Sequence, residues 1–176
     1  MCHAIKLDPD NATHYWVRGG CLLSHELTVQ GRITERSNKK VIDQILSDYA
    51  LSLEKDPANS EAWLNLLEIN VILRRWDDAI ATYGACRSYI DTREFSVIRE
   101  FLGCLALILA GDDITEDDQQ SLNNMDIEVS SYRFGEINAL LRDLVDEEYD
   151  ESLLEKAFDI RGRFINHFTG KLNNDY

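Results

Sequence analysis

Apolar residues recur along most of the chain at spacings of three and four positions, which is the period of an amphipathic α-helix. Residues 56–90 show this pattern twice in succession. Pro57 precedes both, cannot continue an earlier helix, and is followed by a candidate helix cap in Asn59 or Ser60. The segment therefore predicts a helix–turn–helix unit. Its predicted core positions are Ala62, Leu66, Ile69, Leu73, Ala79, Tyr83 and Cys86.

Similar periodicity predicts helices on both sides of this unit. One helix is expected to begin at Ala12, and its partner to run from Lys40 to Glu54. After the unit come an apolar helix around residues 95–109 and a short polar helix, which Thr115 opens through a capping box with Asp118. A helical hairpin ends the chain. Its predicted apolar faces are Ile137, Leu140, Leu141, Leu144 and Val145, then Leu153, Leu154, Ala157, Phe158, Arg161, Phe164, Ile165 and Phe168.

Two segments resemble the tetratricopeptide repeat, W-x₂-L-G-x₂-Y…A-x₃-F…P, whose period is about 34 residues. The resemblance implies an all-α fold in which antiparallel helix–turn–helix repeats stack into a right-handed superhelix. Two departures are Leu67, in place of a small residue, and Arg74, in place of a turn glycine. The matching residues are Trp63, Leu66, Leu67, Asn70, Ala79 and Tyr83 in one repeat, and Tyr15, Arg18, Gly19 and Leu22 in the repeat before it.

The resemblance also predicts how the chain is divided. Pro9 and Pro57 stand in equivalent Asp-Pro turns 48 positions apart, about 14 more than one period. The surplus lies at 27–39 and is either a tolerated surface loop or a recognition element. The partial first repeat indicates a reduced repeat or a boundary within a longer array. The predicted parts are 1–90, with a partial repeat at 1–9 and repeats at 10–57 and 58–90, and 91–176, with degenerate helical repeats and an acidic capping hairpin.

Composition agrees with a helical chain and restricts its partners. Among 176 residues there are 9 glycines and 2 prolines. The formal charge of −14 is uneven, because residues 1–90 carry 10 basic and 12 acidic side chains whereas residues 91–176 carry 8 and 20. This balance argues against a nucleic-acid-binding surface. The acidic half provides solubility or attracts a basic partner.

The sequence also predicts a reduced, cytoplasmic protein that does not enter a membrane. It has no run of about 18 apolar residues, as a membrane span requires, and charges interrupt the N-terminus too early for a signal peptide. The cysteines lack CxxC spacing, and three of them fall on apolar helix faces, where free cysteine behaves as a small hydrophobe. They are Cys2, Cys21, Cys86 and Cys104.

Sequence motifs for catalysis or cofactor binding are absent: there is no phosphate loop, GxSxG or HExxH. We therefore predict a non-enzymatic protein without a cofactor. His14, Cys21 and His25 share one helix face and could hold zinc with a fourth ligand. However, Cys21 and His25 align with the predicted core residues Ile69 and Leu73 of the next repeat. We therefore favour a packing role for them and predict no metal.

The resemblance implies that the first helices of the repeats line a concave groove that binds a peptide or protein. Trp16 is the most informative residue there, because aromatic anchors dominate binding energetics; alternatively it packs against a preceding repeat or the insert. The predicted groove residues are Thr13, Trp16, Val17, Gly20 and Ser24 in one repeat and Glu61, Leu64, Asn65, Glu68 and Ile72 in the next.

The groove residues also predict the chemistry of the ligand. Asn65 matches an asparagine with which some co-chaperones of this family clamp a C-terminal carboxylate. However, Trp16 and Gly20 stand where that clamp needs Lys and Asn, and Glu61 and Glu68 would repel a carboxylate. We expect instead a protein or peptide with apolar anchors and basic flanks. The alternative is a structural module of a larger chain or homo-oligomer, whose groove a neighbour fills.

Overall fold

The computed structural model describes residues 3–34, 37–90, 93–123 and 135–169, and within these ranges all regular structure is α-helical. The predicted all-α class is therefore confirmed. The helices begin and end within a residue or two of the predicted positions wherever a boundary was predicted. They are α1 (His3–Leu7), α2 (Ala12–Gln30), α3 (Lys39–Lys55), α4 (Ser60–Ile72), α5 (Trp76–Cys86), α6 (Arg93–Ala110), α7 (Glu116–Asn123), α8 (Gly135–Asp146) and α9 (Glu151–Thr169).

Asparagine caps the first helix of each predicted repeat. The Asn11 side chain accepts a hydrogen bond from the backbone N–H of Thr13 at 3.1 Å. The Asn59 side chain accepts one from the backbone N–H of Ala62 at 3.0 Å. Such a cap satisfies a donor that has no partner inside the helix. The structure thus selects Asn59 over Ser60 as the cap of α4.

The aromatic residue in the first turn of α2 and of α4 ties each helix to the preceding Asp-Pro turn. The Tyr15 hydroxyl donates to the carbonyl of Pro9 at 2.9 Å, and the Trp63 Nε1–H donates to the carbonyl of Pro57 at 2.8 Å. Tyr15 and Trp63, which the spacing predicts to be equivalent, thus make the same kind of local contact. Each turn fixes the entry of its helix in the same way.

Helix α2 packs closely against α3 around Gly19. A Cβ at Gly19 would lie 2.9 Å from the Tyr49 ring, so glycine is what permits this approach. Beside it, Arg18 forms a bidentate ion pair with the fully buried Asp48, with Nε to Oδ2 at 2.7 Å. Gln44 donates a further hydrogen bond to Asp48 at 2.9 Å. The non-apolar Arg18 thus joins α2 to α3 through a carboxylate.

Helix α4 occupies the centre of the molecule and packs against α3, α5, α6 and α8. Leu64 and Ile72 are each 8% exposed, which contradicts the prediction that their side of α4 is open. The predicted core residues Ala62, Ile69 and Leu73 are buried as well. Apart from Glu61, Asn65 and Glu68, which share one side, α4 is largely apolar, and this suits a helix that packs against several others. An apolar pattern on one side of α4 could not show that both α6 and α8 pack against this helix.

The insert at 27–39 is partly helix and partly loop. It begins inside α2, which ends where Gly31 adopts a left-handed conformation with φ 77°, and it ends where Asn38 caps α3. Between these points Ile33 is buried, and its backbone N–H donates to the Glu136 side chain of α8 at 3.2 Å. The insert therefore connects the first predicted repeat to a helix about 100 residues further along the chain.

Helix α6 is almost entirely buried and packs on α5, and α7 packs against it. A Cβ at Gly103 would overlap the Tyr83 ring, so only glycine fits there. The predicted capping box opens α7: Thr115 N–H donates to Asp118 at 3.3 Å, and Asp118 N–H donates to Thr115 Oγ1 at 3.1 Å. Among the described residues, even the most apolar helices lack a stretch able to cross a membrane.

Helices α8 and α9 return across the earlier helices, with α8 against α4 and α9 against α6. The Tyr149 hydroxyl, between them, donates to the Leu109 carbonyl at the end of α6. Val145 and Phe158, predicted to lie on the core faces, are exposed by 49% and 40%, so that prediction is wrong. Among residues 151–162 the contact face of α9 is narrower than its apolar pattern, whereas the predicted Phe164, Ile165 and Phe168 lie outside the side chains that the structure describes. The buried residues are Ile137, Leu140, Leu141 and Leu144 on α8 and Leu154, Ala157 and Ile160 on α9.

Candidate functional site

Helix α8 covers one end of the predicted groove. Asp143 of α8 pairs with Arg32 of the insert at 2.7 Å, and Glu147 pairs with Arg74 at the end of α4. A cavity of about 400 Å³ remains between these pairs, with Ile72 in its lining. This end is therefore occupied by the chain itself. An external ligand would have to displace two partly exposed ion pairs to enter it.

The other end is open and contains what we call the Trp16 pocket. It encloses about 530 Å³ between α2 and α4. Its lining is apolar or uncharged apart from one histidine, and the described part of it contains no carboxylate. The lining residues are Trp16, Val17, Gly20, Cys21, Ser24, His25 and Thr28 of α2 and Asn65 of α4.

The structure brings together some of the predicted groove residues and separates others. Trp16, Val17, Gly20, Ser24 and Asn65 all line the pocket. Thr13 and Glu61 are exposed in the first turns of their helices but do not line it. Glu68 is half-buried and lies outside the lining. Burial raises the pKa of Tyr49 most, and the charge of Glu68 raises it further. Leu64 and Ile72 are buried, as described above.

Trp16 gives the pocket its most specific feature. The side chain is half-buried against the core, yet its indole Nε1 is enclosed and has no hydrogen-bond partner in the structure. An enclosed polar group without a partner costs free energy, and because this N–H is enclosed a ligand in the open pocket does not reach it. Gly20 adds space, because a Cβ there would meet nothing within 4 Å. The pocket thus offers an aromatic face and room for a side chain.

The zinc site that the sequence suggested, with His14, Cys21 and His25 as ligands, does not form among the described residues. His14 Nδ1 lies 3.2 Å from the Asp8 carbonyl oxygen, whereas Cys21 and His25 line the Trp16 pocket. No group of three or more potential ligands converges within the described ranges. Both Cys21 and His25 are exposed, so the prediction that they pack in the core is wrong. Ile69, at the position equivalent to Cys21, is buried because α4 lies between other helices.

A cluster of charged and polar side chains lies in the core between α5, α6 and α7. The Tyr83 hydroxyl contacts Glu100 and donates to Asp118 at 2.8 Å, and Arg87 pairs with Asp118. Arg99 pairs with Glu100. The sequence indicated the Thr115–Asp118 cap but not these partners, which come from three helices. Fully paired side chains of this kind fix how helices meet.

The ionisation of this cluster follows from its contacts. Burial alone would raise the pKa of Asp118, but hydrogen bonds from Thr115 and Tyr83 and the charge of Arg87 together lower it. Burial raises the pKa of Cys86 to about 11 and that of Cys104 to about 12. Both thiols therefore stay protonated near neutral pH and are poor nucleophiles. We therefore assign this cluster a structural role, in holding α5, α6 and α7 together.

The Trp16 pocket is therefore the site whose geometry points most directly to a ligand. An aromatic wall and the Asn65 amide suit an extended polypeptide, which presents apolar side chains and backbone polar groups together. No charged group lies in the described lining to bind an ion tightly. Comparison of the chain with protein-family models, with curated proteins and with solved structures found no match.

Proposed function

We propose that this protein is a tetratricopeptide-type adaptor that binds a peptide segment of another protein in the Trp16 pocket and performs no chemistry itself. The observation that carries the proposal is the open pocket of about 530 Å³ between α2 and α4, whose lining joins the aromatic Trp16 to the amide of Asn65. The repeat assignment is supported by the shared asparagine caps and by the matching contacts of Tyr15 and Trp63. Stacked helical hairpins of this type bind peptides with their first helices.

The lining restricts the ligand. An apolar side chain can lie against Trp16 and Val17, where Gly20 leaves room. The backbone of the ligand can pair with the Asn65 side chain, which can both donate and accept. Glu61 is exposed at the start of α4 and favours a basic residue flanking that anchor. The proposed ligand is therefore an extended segment with an apolar anchor and a basic flank.

A peptide selection tests this proposal. A random-peptide display library would be enriched on the purified protein, and the affinities of the enriched peptides would be measured by fluorescence anisotropy. We expect Trp16→Ala to weaken binding at least about 10-fold, as truncation of an aromatic anchor does. Trp16→Phe keeps an aromatic ring but reduces its area, and we expect an intermediate loss. Both variants would be compared by circular dichroism with the wild type.

The matched control is Val29→Ala, which changes a residue on the same helix that is 60% exposed and lies outside the pocket. It should leave the affinity within about 2-fold, as expected for a residue that makes no contact with the ligand. If the enriched peptides bind the folded Trp16→Ala variant as tightly as the wild type, the pocket is not their site and the proposal fails.

A structural role in an assembly is the second candidate, and one observation favours it. Val17 is 48% exposed and lies one turn from the exposed Cys21, whose equivalent in α4, Ile69, is buried by neighbouring helices. A second copy could cover this face and fill the pocket. Sedimentation at increasing concentration decides, because such an assembly would dissociate in Val17→Glu. A monomer at all concentrations would leave the pocket open to a peptide and exclude self-assembly.

A further inference from the structure

Helices α8 and α9 each expose, near the turn that joins them, one apolar side chain that the sequence pattern assigns to the core. Val145 lies in the last turn of α8 and Phe158 in the second turn of α9. Both line one open cleft of about 950 Å³, at whose base Leu154 is almost fully buried. We call this the hairpin cleft and define it by Val145, Glu148, Glu151, Leu154, Glu155 and Phe158. Neighbouring exposed apolar side chains with a polar border are typical of binding surfaces.

Four carboxylates border the cleft, those of Glu148, Asp150, Glu151 and Glu155. Glu151, Glu155 and Phe158 follow the helical spacing of four and three, so they share one side of α9. Within the described ranges, the side chains of Glu148, Glu151 and Glu155 form no hydrogen bond or ion pair. Asp150 differs, because its carboxylate caps α9 by accepting hydrogen bonds from Ser152 N–H at 2.9 Å and Leu153 N–H at 3.2 Å. The cleft therefore presents negative charge that internal contacts do not neutralise.

We propose that the hairpin cleft is a second interaction surface, which binds a basic segment carrying a large apolar side chain. The apolar side chain would cover Val145 and Phe158, and Lys or Arg on either side would face the carboxylates. Charge complementarity selects this occupant over two others. A second copy of this chain carries a formal charge of −14, and an anionic membrane surface is also negative, so both would be repelled.

The cleft is independent of the Trp16 pocket. None of its lining residues is shared with that pocket, and its elements α8 and α9 contribute nothing to that lining. The proposal therefore adds a site to the proposed adaptor function and does not depend on it. A protein with both sites can hold two segments at once.

Defined peptides test the cleft directly. The probe is a fluorescein-labelled peptide Lys-Arg-Leu-Phe-Lys-Arg, with Lys-Arg-Ser-Gly-Lys-Arg and Glu-Asp-Leu-Phe-Glu-Asp as comparison peptides. Anisotropy would be recorded at about 50 mM and about 300 mM salt, because exposed charges are screened at the higher ionic strength. We expect binding of the first peptide only, with clearly lower affinity at the higher salt concentration. Equal binding of the Ser-Gly peptide would show attraction by charge alone and would overturn the proposal.

Exposed positions provide variants that keep the fold. Glu151→Gln/Glu155→Gln should weaken binding of the first peptide about 10-fold, and Phe158→Ser and Val145→Ser by a similar factor. The charge-matched control is Asp43→Asn/Glu54→Gln on α3, which changes two exposed carboxylates far from the cleft lining and should leave the affinity within about 2-fold. Equal losses in the control and the cleft variants would overturn the proposal, as would unchanged binding by both serine variants.

Two further outcomes separate the cleft from other sites. Trp16→Ala should bind the probe peptide as the wild type does, and loss of binding in that variant would place the peptide in the Trp16 pocket and overturn this proposal. Failure of the peptide selection on the Trp16 pocket would leave the cleft result unaffected. Sedimentation of wild type and Phe158→Ser gives the last test, since a dimer that depends on Phe158 would show that a second copy covers the cleft.

Discussion

The two N-terminal hairpins and the C-terminal helices are held in place by different kinds of contact. In α2 and in α4, the first helix of each hairpin, the same two contacts occur. They are an asparagine cap and a hydrogen bond from an aromatic side chain to a proline carbonyl. In α6–α9 the positioning contacts occur once each, such as Tyr83 with Asp118 and Tyr149 with the Leu109 carbonyl. Repeated local contacts leave a repeated sequence pattern, whereas single contacts between distant segments do not. The arrangement of α6–α9 therefore depends on contacts that the hydrophobic periodicity of the sequence does not indicate.

The strongest test of this difference is Gly103→Ala. The added methyl group would overlap the Tyr83 ring in a fully buried contact between α5 and α6. We expect a loss of about 3 kcal/mol in the free energy of unfolding, the upper range for overpacking a core. Urea denaturation followed by circular dichroism measures it. The corresponding change in the first half, Gly19→Ala, meets the edge of the Tyr49 ring at 2.9 Å and should cost less, about 1–2 kcal/mol.

Gly84→Ala is the matched control for both changes. Gly84 is an exposed position within α5, and a Cβ there would meet nothing within 4 Å. Alanine should therefore stabilise the protein, by up to about 1 kcal/mol, through its higher helix propensity. If Gly103→Ala proved as harmless as this control, α5 and α6 would not meet as closely as described.

A smaller effect is expected from Asp118→Asn, which weakens the contacts of α7. The change removes a charge that pairs with Arg87 and accepts a hydrogen bond from Tyr83. We expect a loss of about 2 kcal/mol, because a buried partner is left with an incomplete set of contacts. Asp117→Asn, at an exposed position in the same turn, removes the same charge and should cost less than about 0.5 kcal/mol. Equal effects of the two variants would contradict the assigned role of Asp118.

The same residue predicts a dependence on pH. The folded protein lowers the pKa of Asp118 below the usual 3.8. The ionised group therefore stabilises the fold above about pH 4, and this stabilisation is lost as the pH falls through the lower folded-state pKa. The difference in unfolding free energy between wild type and Asp118→Asn should shrink between neutral pH and about pH 3. A constant difference over this range would show that the charge of Asp118 does not contribute.

The smallest predicted effect concerns the turn between α4 and α5. Arg74 adopts φ 57° in this turn, which costs a residue with a Cβ about 1 kcal/mol. Its ion pair with Glu147 is partly exposed and contributes less than that. Arg74→Gly should therefore be about 1 kcal/mol more stable than Arg74→Ala, which loses the pair and keeps the strain. Identical stabilities in urea would contradict this account of the turn.

The groove could be predicted only in part from the sequence. Trp16, Val17, Gly20 and Asn65 do line one pocket, because each helix carries them on one side at a regular spacing. Leu64 was placed in the same groove but is buried, since periodicity identifies the sides of a helix and not how many of them are covered. The partner of Arg32 lies 111 positions away in the chain, and no local pattern could indicate it.

The sequence by itself determined the helical class, the approximate helix boundaries and the capping box of Thr115 and Asp118. These follow from contacts between residues a few positions apart, which composition and spacing record directly. The tertiary structure alone decided that α8 covers one end of the groove, that Cys21 and Phe158 are exposed, and that Asp118 joins Tyr83 and Arg87. Those outcomes depend on which helix faces find a neighbour, and that is settled only when distant segments pack together.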